Sequence, residues 1–362
     1  MYCGRISRGR KLDDYRKRAY LSASEVSKVL GIGLDTIYDS VRNGTLRSYR
    51  SASGQHRFDM SEIEKFRKLV VPERIDTGPS VSECKHFCHA VNGTVQEIVV
   101  GNSQNMDYVP SDSVNLVITS PPYFDTKMYS IDGEYEGDLG NIHDLGLWLS
   151  EIGKVWSEVY RVLQPGRKFF LNIMNLPLRE KGSFRTLNLT GKTIDLCESI
   201  GFVFRRDIVW HKTNSSRAHF GTYPYPGGIL INHAHEFILE FEKPSPGRYR
   251  KYAHVDRDSR ERSILEKDFW INVKKSDVWL MKPERSGRGR KHISPFSVEL
   301  PMRIVRAFSY YGETVLDPFL GSGTTLVASA SLGRNGIGFE LNRTYASDAS
   351  ERLMHSMSTR NL

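Results

Sequence analysis

Two stretches decide the fold, Thr119-Ser-Pro-Pro-Tyr123 and Asp317-Pro-Phe-Leu-Gly-Ser-Gly-Thr-Thr325. Each directly follows a short apolar run, Val114–Ile118 for the first and Val315–Leu316 for the second. Such runs, bounded by turn residues, are typical of buried parallel strands. Two prolines in succession cannot continue a strand, and the glycines permit close approach of a ligand before a helix that begins near Ser322. Both stretches therefore mark turns at the carboxyl ends of strands.

The flanking sequence extends this pattern to an α/β fold. Gln96–Val100 and Gly336–Glu340 have the same apolar, β-branched character as the first two runs. Residues Asp144–Leu163 predict an amphipathic helix that stops at Pro165-Gly166. Its apolar stripe consists of Leu145, Trp148, Ile152, Val155, Val159 and Val162. The sequence predicts a doubly wound, mostly parallel sheet, with ligands bound at the carboxyl ends of its strands.

The first 72 residues predict a separate small domain. Ser22 and Glu25 form a capping box at the start of a short helix, and Asp35–Val41 predicts a second helix that stops at Asn43-Gly44. The stretches before Ser51 and after Gly54 predict a hairpin wing, followed by a third helix with Ile63, Phe66 and Leu69 facing inward. Residues 20–69 resemble the winged helix–turn–helix of the MerR and excisionase group. The resemblance implies DNA contacts from Tyr38, Arg42, Arg47, Arg50 and Arg57; the alternative is a small dimerisation domain.

The positive charge of the 362-residue chain is concentrated in two segments. The net charge is +9, with 15 basic and 8 acidic residues in residues 1–72, and 14 basic and 7 acidic residues in residues 244–291. Two basic surfaces on a near-neutral scaffold suit contact with phosphates, although solvated charged faces would give the same counts.

The remaining composition indicates a protein of the cytoplasm, associated with the nucleoid. The basic residues Arg5, Arg8, Arg10 and Lys11 are not followed by the apolar segment of a signal peptide, and no apolar run is long enough to span a bilayer. The four cysteines are too few for a disulfide framework. Cys84, His86, Cys88 and His89 are crowded into six residues without two separated ligand pairs, so an ordinary linker over residues 73–93 is favoured over a zinc site, and no metal is expected.

Taken together, the two stretches closely resemble the amino-group DNA methyltransferases of the permuted beta class. The proline motif precedes the glycine motif by about two hundred residues. Further matches over residues 95–355 are Val162–Gly166, Asp207–Lys212, His235–Lys243 and Asp277–Trp279. The resemblance implies a circularly permuted S-adenosylmethionine-dependent methyltransferase fold over residues 94–362, which acts on double-stranded DNA.

The resemblance also assigns residues to the cofactor, S-adenosyl-L-methionine. The glycine motif is expected to hold the methionine part, and Glu340 the ribose hydroxyls, because a carboxylate accepts two hydrogen bonds at once. Asn102 stands where the family more often has aspartate. The remaining expected contacts are His292, Ser294, Phe296, Asp317, Phe319, Gly321, Gly323 and Thr324. Each has a structural alternative, such as Phe319 in the core and Glu340 at the surface.

The proline motif is expected to carry the chemistry. An exocyclic amine shares its lone pair with the base and is a poor nucleophile. Hydrogen bonds from the amine to the Ser120 hydroxyl and the Pro121 carbonyl would aim that lone pair at the methyl group, beside Pro122. The base must be flipped out of the duplex, and Tyr123 is its expected stacking partner, with Trp210 and Lys212 nearby. In the family, a serine at this position usually accompanies methylation of cytosine N4. An aspartate or asparagine at this position usually accompanies methylation of adenine N6.

Residues 213–290 are expected to recognise the target sequence. They mix basic and aromatic side chains, with Arg217, Arg248, Arg250 and Lys251 as the expected DNA contacts; the alternative is a solvated insertion. Competing functions are an N6-adenine methyltransferase, a glutamine or RNA methyltransferase, and a DNA-binding regulator with an inactive methyltransferase fold. A restriction endonuclease for the same site is an expected partner. The amino-terminal domain would either bind an operator or help to place the catalytic domain.

Overall fold

The computed structural model describes two compact units, residues 1–83 and 84–362. The described residues are 20–30, 34–42, 44–50, 54–70, 86–91, 93–124, 137–180, 183–213, 231, 233–247, 251–283 and 297–358.

The first unit is a three-helix domain with a small antiparallel sheet. Its strands are β1 (Tyr20–Ser22), β2 (Tyr49–Arg50) and β3 (His56–Asp59), and its helices are α1 (Ala23–Leu30), α2 (Leu34–Arg42) and α3 (Met60–Val70). The capping box forms as predicted, since the Ser22 backbone N–H and hydroxyl donate to Glu25 Oε2 over 2.9 and 2.7 Å. Leu21, Val26, Ile37, Leu46, Phe58, Ile63 and Phe66 make a closed core. The predicted hairpin is the β2–β3 pair, to which β1 adds a third strand.

The second unit is built on a nine-stranded sheet. Its strands follow the order β12-β10-β11-β7-β6-β13-β14-β5-β4. They are β4 (His86–Val91), β5 (Thr94–Val100), β6 (Val114–Thr119), β7 (Leu163–Ile173), β10 (Val203–Lys212), β11 (His235–Glu242), β12 (Val278–Met281), β13 (Thr314–Asp317) and β14 (Asn335–Glu340). A separate hairpin consists of β8 (Leu176–Glu180) and β9 (Ser183–Leu187).

Helices pack on both faces of this sheet. They are α4 (Leu145–Val162), α5 (Leu189–Ile200), α6 (Arg257–Glu261), α7 (Lys267–Lys274), α8 (Glu299–Phe308), α9 (Thr324–Ser331) and α10 (Arg343–Ser358). Helix α4 begins after Asp144, whose carboxylate accepts the Leu147 N–H at 2.7 Å. It buries the predicted stripe from Trp148 to Val162, with Leu145 at its edge. The helix ends three residues before Pro165, because β7 already begins at Leu163.

Among the described strands of this sheet, five pairs are parallel, β11 runs antiparallel to both of its neighbours, β7 and β10, and the edge strand β4 runs antiparallel to β5. The predicted mostly parallel, doubly wound sheet is confirmed. The carboxyl ends of β5, β14, β13, β6 and β7 lie along one edge of the sheet, where ligands bind in such folds.

Two boundaries differ from the sequence interpretation. The predicted linker includes residues 86–91, but these pair with β5 as the edge strand β4, with Val91 buried. Cys84 lies outside the described residues, and no metal-like group of three His, Cys, Asp or Glu side chains occurs among those described. The predicted recognition region includes residues 278–281, yet they extend the sheet as β12 because Trp279 and Met281 alternate into the core. No described helix is long and apolar enough to cross a membrane.

Candidate active site

The two motifs that lie far apart in the sequence meet at neighbouring strand ends. Strands β6 and β13 pair in parallel, with Leu116 opposite Val315 and Val117 opposite Leu316. The Thr119 hydroxyl donates a 2.7 Å hydrogen bond to Asp317 Oδ1 across 198 residues of sequence. The proline turn and the glycine turn therefore form two sides of one site.

Asp317 is the most deeply buried acid of the site, with no exposed surface. It accepts hydrogen bonds from the hydroxyls of Thr119 and Thr325, at 2.7 and 2.6 Å, and from the Phe319 N–H at 3.0 Å. Burial raises the pKa of Asp317 to about 6, although these hydrogen bonds act in the opposite direction. Among the described residues no lysine or arginine is ion-paired with it. A carboxylate balanced only by dipoles favours a ligand that carries positive charge.

Glu340 lies at the end of the next strand, β14, which is paired with β13. Its two oxygens accept the backbone N–H groups of Gly321 and Asn342, at 2.8 and 2.9 Å. Burial, followed by the negative charges of Asp317 and Asp138, raises the pKa of Glu340 to about 7. Each carboxylate oxygen has a second lone pair, so two further hydrogen bonds from a diol are chemically possible.

The glycine loop between β13 and α9 is tightly packed. Gly321 and Gly323 have φ angles of +52° and +77°, which L side chains rarely adopt. A Cβ on Gly323 would lie 3.0 Å from the Ala349 Cβ of α10. Arg352, on the same helix, donates to the Ser322 carbonyl at 3.2 Å and to the hydroxyls of Ser322 and Thr324 at 2.8 and 3.0 Å. Sequence reasoning missed Arg352, because only the packing of α10 brings it to the loop.

The other predicted cofactor residues are placed less uniformly. The Phe319 ring packs edge-on against Trp156 at a centroid distance of 5.9 Å, so part of it belongs to the core. Asn102 lies beyond the end of β5. Its Nδ2 donates to Gln104 Oε1 and its Oδ1 accepts the Gln104 backbone N–H, both at 2.9 Å. His292, Ser294 and Phe296 lie outside the described residues.

The proline motif places a hydroxyl, a carbonyl and a ring at the end of β6. Pro121 is buried, whereas Ser120, Pro122 and Tyr123 are half-buried. The Ser120 hydroxyl donates to the Tyr123 oxygen at 3.4 Å, and the Tyr123 hydroxyl donates to Glu236 Oε2 at 3.1 Å. The Ser120 lone pairs thus remain available as acceptors.

Glu236 is a site residue that sequence reasoning did not single out. It is 6% exposed at the start of β11 and also accepts hydrogen bonds from Asn172 Nδ2 and Lys212 Nζ. The sequence did contain a signal for Glu236. This acid lies within His235–Lys243, which is interpreted as a core strand, and an acid within a buried strand requires partners. Trp210 is buried and donates to the Met281 carbonyl at 3.1 Å, so its ring is part of the core beside Lys212.

The predicted DNA contacts of the first unit lie on α2, just before β2 and on both faces of the β2–β3 hairpin. Tyr38 and Arg42 are exposed one turn apart on α2, and Arg47 is exposed before β2. Arg50 pairs with His56, whose ring lies 5.9 Å from that of Tyr38. Arg57 pairs instead with Tyr49 on the opposite face of the hairpin. The structure therefore groups Arg50 with α2 and separates Arg57 from it.

The predicted recognition region is described only in part. Arg217, Arg248 and Arg250 lie outside the described residues. Lys251 is described, and its Nζ lies 5.3 Å from the ring centre of Tyr252. The described part of this region contains α6 and α7, which have no buried residues.

Comparison with known proteins gives consistent matches. The family described as DNA methylase, with N6 and N4 specificities, matches residues 114–351, and a helix–turn–helix domain family matches residues 20–68. The type II methyltransferase M.MjaI of Methanocaldococcus jannaschii is 32% identical over 273 residues, which cover 69% of this chain and 88% of the relative.

Solved structures match the same region. A protein assigned as a DNA modification methylase from Thermus thermophilus, solved with S-adenosyl-L-methionine, is 32% identical with a TM-score of 0.57, covering 71% of this chain and 93% of its own. The cytosine-N4-specific PvuII DNA methyltransferase shares the fold, with a TM-score of 0.50 at 18% identity over 73% of this chain and 91% of its own.

Proposed function

The chain belongs to the N6/N4 DNA methylase family, whose members depend on S-adenosylmethionine, and on this premise we propose that it methylates the N4 amine of cytosine in double-stranded DNA. The observation that carries the proposal is the Thr119–Asp317 hydrogen bond, which fixes the proline motif beside the glycine motif. A base amine held by the first would face a methyl donor held by the second.

The cofactor side of the site fits a cationic nucleoside. Asp317 is a fully buried and Glu340 a half-buried carboxyl group; both have raised pKa values and, within the described parts of the chain, no ion pair. S-adenosylmethionine, when bound, supplies a methyl group on a sulfonium and also carries an ammonium group. Asp317 and the glycine loop would hold the methionine part, and Glu340 the ribose hydroxyls. Binding a cation would thereby stabilise the ionised carboxylates.

The base side of the site offers acceptors to an amine. Because the Ser120 hydroxyl proton points to Tyr123, the Ser120 oxygen accepts one amine N–H, and the Pro121 carbonyl accepts the other. Two such hydrogen bonds pull the amine towards a tetrahedral geometry and orient its lone pair. Tyr123 stacks against the flipped base.

Cytosine N4 is proposed over adenine N6 because a serine precedes the two prolines. The test is to incubate the protein with unmethylated plasmid DNA and S-adenosylmethionine, digest the DNA to nucleosides and weigh them. N4-methylcytosine is the expected product. N6-methyladenine without N4-methylcytosine would replace the base assignment and leave the family intact. Ser120→Ala and Gly321→Asp proteins that remain folded are expected to be inactive, which separates an enzyme from a DNA-binding regulator.

We further propose that the protein acts in a restriction-modification system, supported by the type II names of its relatives. Sequencing that detects modified bases in host DNA would define the site and the endonuclease to examine. Deleting residues 1–72 tests the helix–turn–helix domain. Slower methylation of short duplexes is expected if the domain places the enzyme on DNA, whereas an unchanged rate would favour operator binding.

A further inference from the structure

Four polar side chains form a row along one face of the sheet, starting at the proline motif. Ser120, Asn172, Glu236 and Lys212 lie at the ends of β6, β7, β11 and β10, which are consecutive in the sheet. The residues two positions further into each strand, Ile118, Phe170, Ile238 and Trp210, pack together in one apolar cluster. Because side chains alternate between faces, the four polar groups share the face of that cluster.

Glu236 is the centre of this row. It accepts hydrogen bonds from three separate segments: Tyr123 of the proline loop at 3.1 Å, Asn172 of β7, and Lys212 of β10. The ion pair with Lys212 balances its charge, and only 6% of the residue is exposed. A buried carboxylate with three donors holds each of those donors in one place.

The donors include the group that is proposed to meet the base. Residues 120–124 follow the last ladder pair of β6, so the Tyr123 ring receives no support from strand pairing. Its hydroxyl lies 3.4 Å from Ser120 Oγ, 3.5 Å from Asn172 Nδ2 and 3.1 Å from Glu236 Oε2. The hydrogen bond to Glu236 therefore helps to set where the ring lies relative to Ser120, together with the packing of the ring against the core.

Asn172 supplies an independent observation. Its Nδ2 donates to Glu236, which fixes the orientation of the amide, and its Oδ1 has no hydrogen-bond partner among the described residues. The residue is 2% exposed, so water does not readily satisfy that oxygen. A buried acceptor without a donor in the described chain is consistent with a donor that arrives with a ligand.

We infer that Glu236 is a positioning residue for methyl transfer, which locks the Tyr123 ring and the Asn172 amide beside Ser120 before the base arrives. The inference rests on the proposed function. Glu236 is thereby expected to affect the rate of the chemical step. It is not expected to affect the binding of S-adenosylmethionine, because the proposed cofactor site lies at the ends of β13 and β14.

The test compares two buried glutamates of the same strand and face. Glu240 is 3% exposed and is ion-paired with Lys168 and, at 3.1 Å, with Arg206. Glu236→Gln and Glu240→Gln are assayed as full-length proteins for transfer of labelled methyl groups from S-adenosylmethionine to unmethylated plasmid DNA. Glu236→Gln is expected to lower kcat about tenfold to a hundredfold, with KM for S-adenosylmethionine changed less than about threefold. Glu240→Gln is expected to lower Tm by about as much as Glu236→Gln does. Its kcat is expected to stay within about twofold of the wild-type value.

A double-mutant cycle tests the route through Tyr123. Tyr123→Phe keeps the ring and removes only the hydroxyl, so it serves even if Glu236→Gln folds poorly. It is expected to lower kcat several-fold at unchanged Tm, and adding it to Glu236→Gln is expected to cause little further loss. The inference would be overturned if kcat were equal in Glu236→Gln and Glu240→Gln, or if the losses multiplied in the double variant. In either case, methyl transfer by the wild-type protein would leave the proposed function standing. A wild-type protein that transfers no methyl group would overturn both.

Discussion

Two pairs of acids on the nine-stranded sheet differ in the groups that surround them. At the ends of β13 and β14, Asp317 and Glu340 accept only hydroxyl and backbone N–H donors among the described residues, and their pKa values are raised to about 6 and 7. On β11, Glu236 and Glu240 are ion-paired with lysine or arginine. The first pair retains charge that a cationic ligand can balance, whereas the second pair is already balanced within the chain. The difference indicates a binding role on one side of the site and a positioning role on the other.

The largest effect is expected from removing the negative charge of Asp317 on the binding side. Asp317→Asn is expected to raise the Kd for S-adenosylmethionine about a hundredfold or more, because one partner of a buried charge pair is lost. Its Tm is expected not to fall, since the cost of burying a carboxylate is also removed. Isothermal titration calorimetry measures the Kd, with Glu240→Gln as the matched control. Equal affinity in the two variants would contradict the assignment of Asp317.

Backbone packing offers a second comparison, between the glycine loop and the turn after β11. Gly323 and Gly247 both have positive φ, +77° and +43°, but only Gly323 has close neighbours. Gly323→Ala is expected to lower the free energy of unfolding by about 2–4 kcal/mol, from strain and from overpacking against Ala349. Gly247→Ala should cost only about 1 kcal/mol, since its Cβ meets nothing within 4 Å. Urea denaturation measures the free energy of unfolding of both variants. Similar losses in the two would show that Ala349 moves aside at little cost.

The pH dependence of ligand binding sharpens the comparison further. Glu340 has a folded pKa of about 7 against an ordinary value of 4.5, so the unliganded fold binds its proton more tightly than the unfolded chain. Its contribution to stability is therefore present below about pH 4.5 and is lost as the pH rises to about 7. We expect the Tm increase caused by S-adenosylmethionine to grow between about pH 5.5 and about pH 8, as Asp317 and then Glu340 ionise. In Glu340→Gln the upper part of this rise, around pH 7, should disappear, and an identical profile in that variant would assign the titration to other groups.

The smallest effect is expected at the exposed edge of the paired side. Arg205 and Glu242 form a 2.8 Å ion pair in which the arginine side chain is 45% exposed. Arg205→Ala is expected to change the free energy of unfolding by less than about 1 kcal/mol, because solvent screens such pairs. Methyl transfer should be unchanged. A loss of activity would mean that charge on this side of the sheet matters beyond the Glu236 cluster.

Much of the fold was predictable because its signals are local. Strands β5, β6, β13 and β14 lie at the predicted runs and extend them by one or two residues. The family and the cofactor were predicted from two motifs and are confirmed by the comparisons. The predicted linker extended too far, because the polar residues of the alternating 86–91 stretch conceal an edge strand. The individual cofactor and DNA contacts stay predictions.

The sequence by itself determined where strands end and which residue types stand there, since turn chemistry and apolar periodicity act over a few residues. Only the tertiary structure decided which strand ends are neighbours. The order of the sheet places Thr119 against Asp317, brings Arg352 to the glycine loop, and gathers Tyr123, Asn172 and Lys212 around Glu236. Such contacts join residues separated by tens to hundreds of positions. They depend on how the whole sheet buries its apolar faces, which no local pattern encodes.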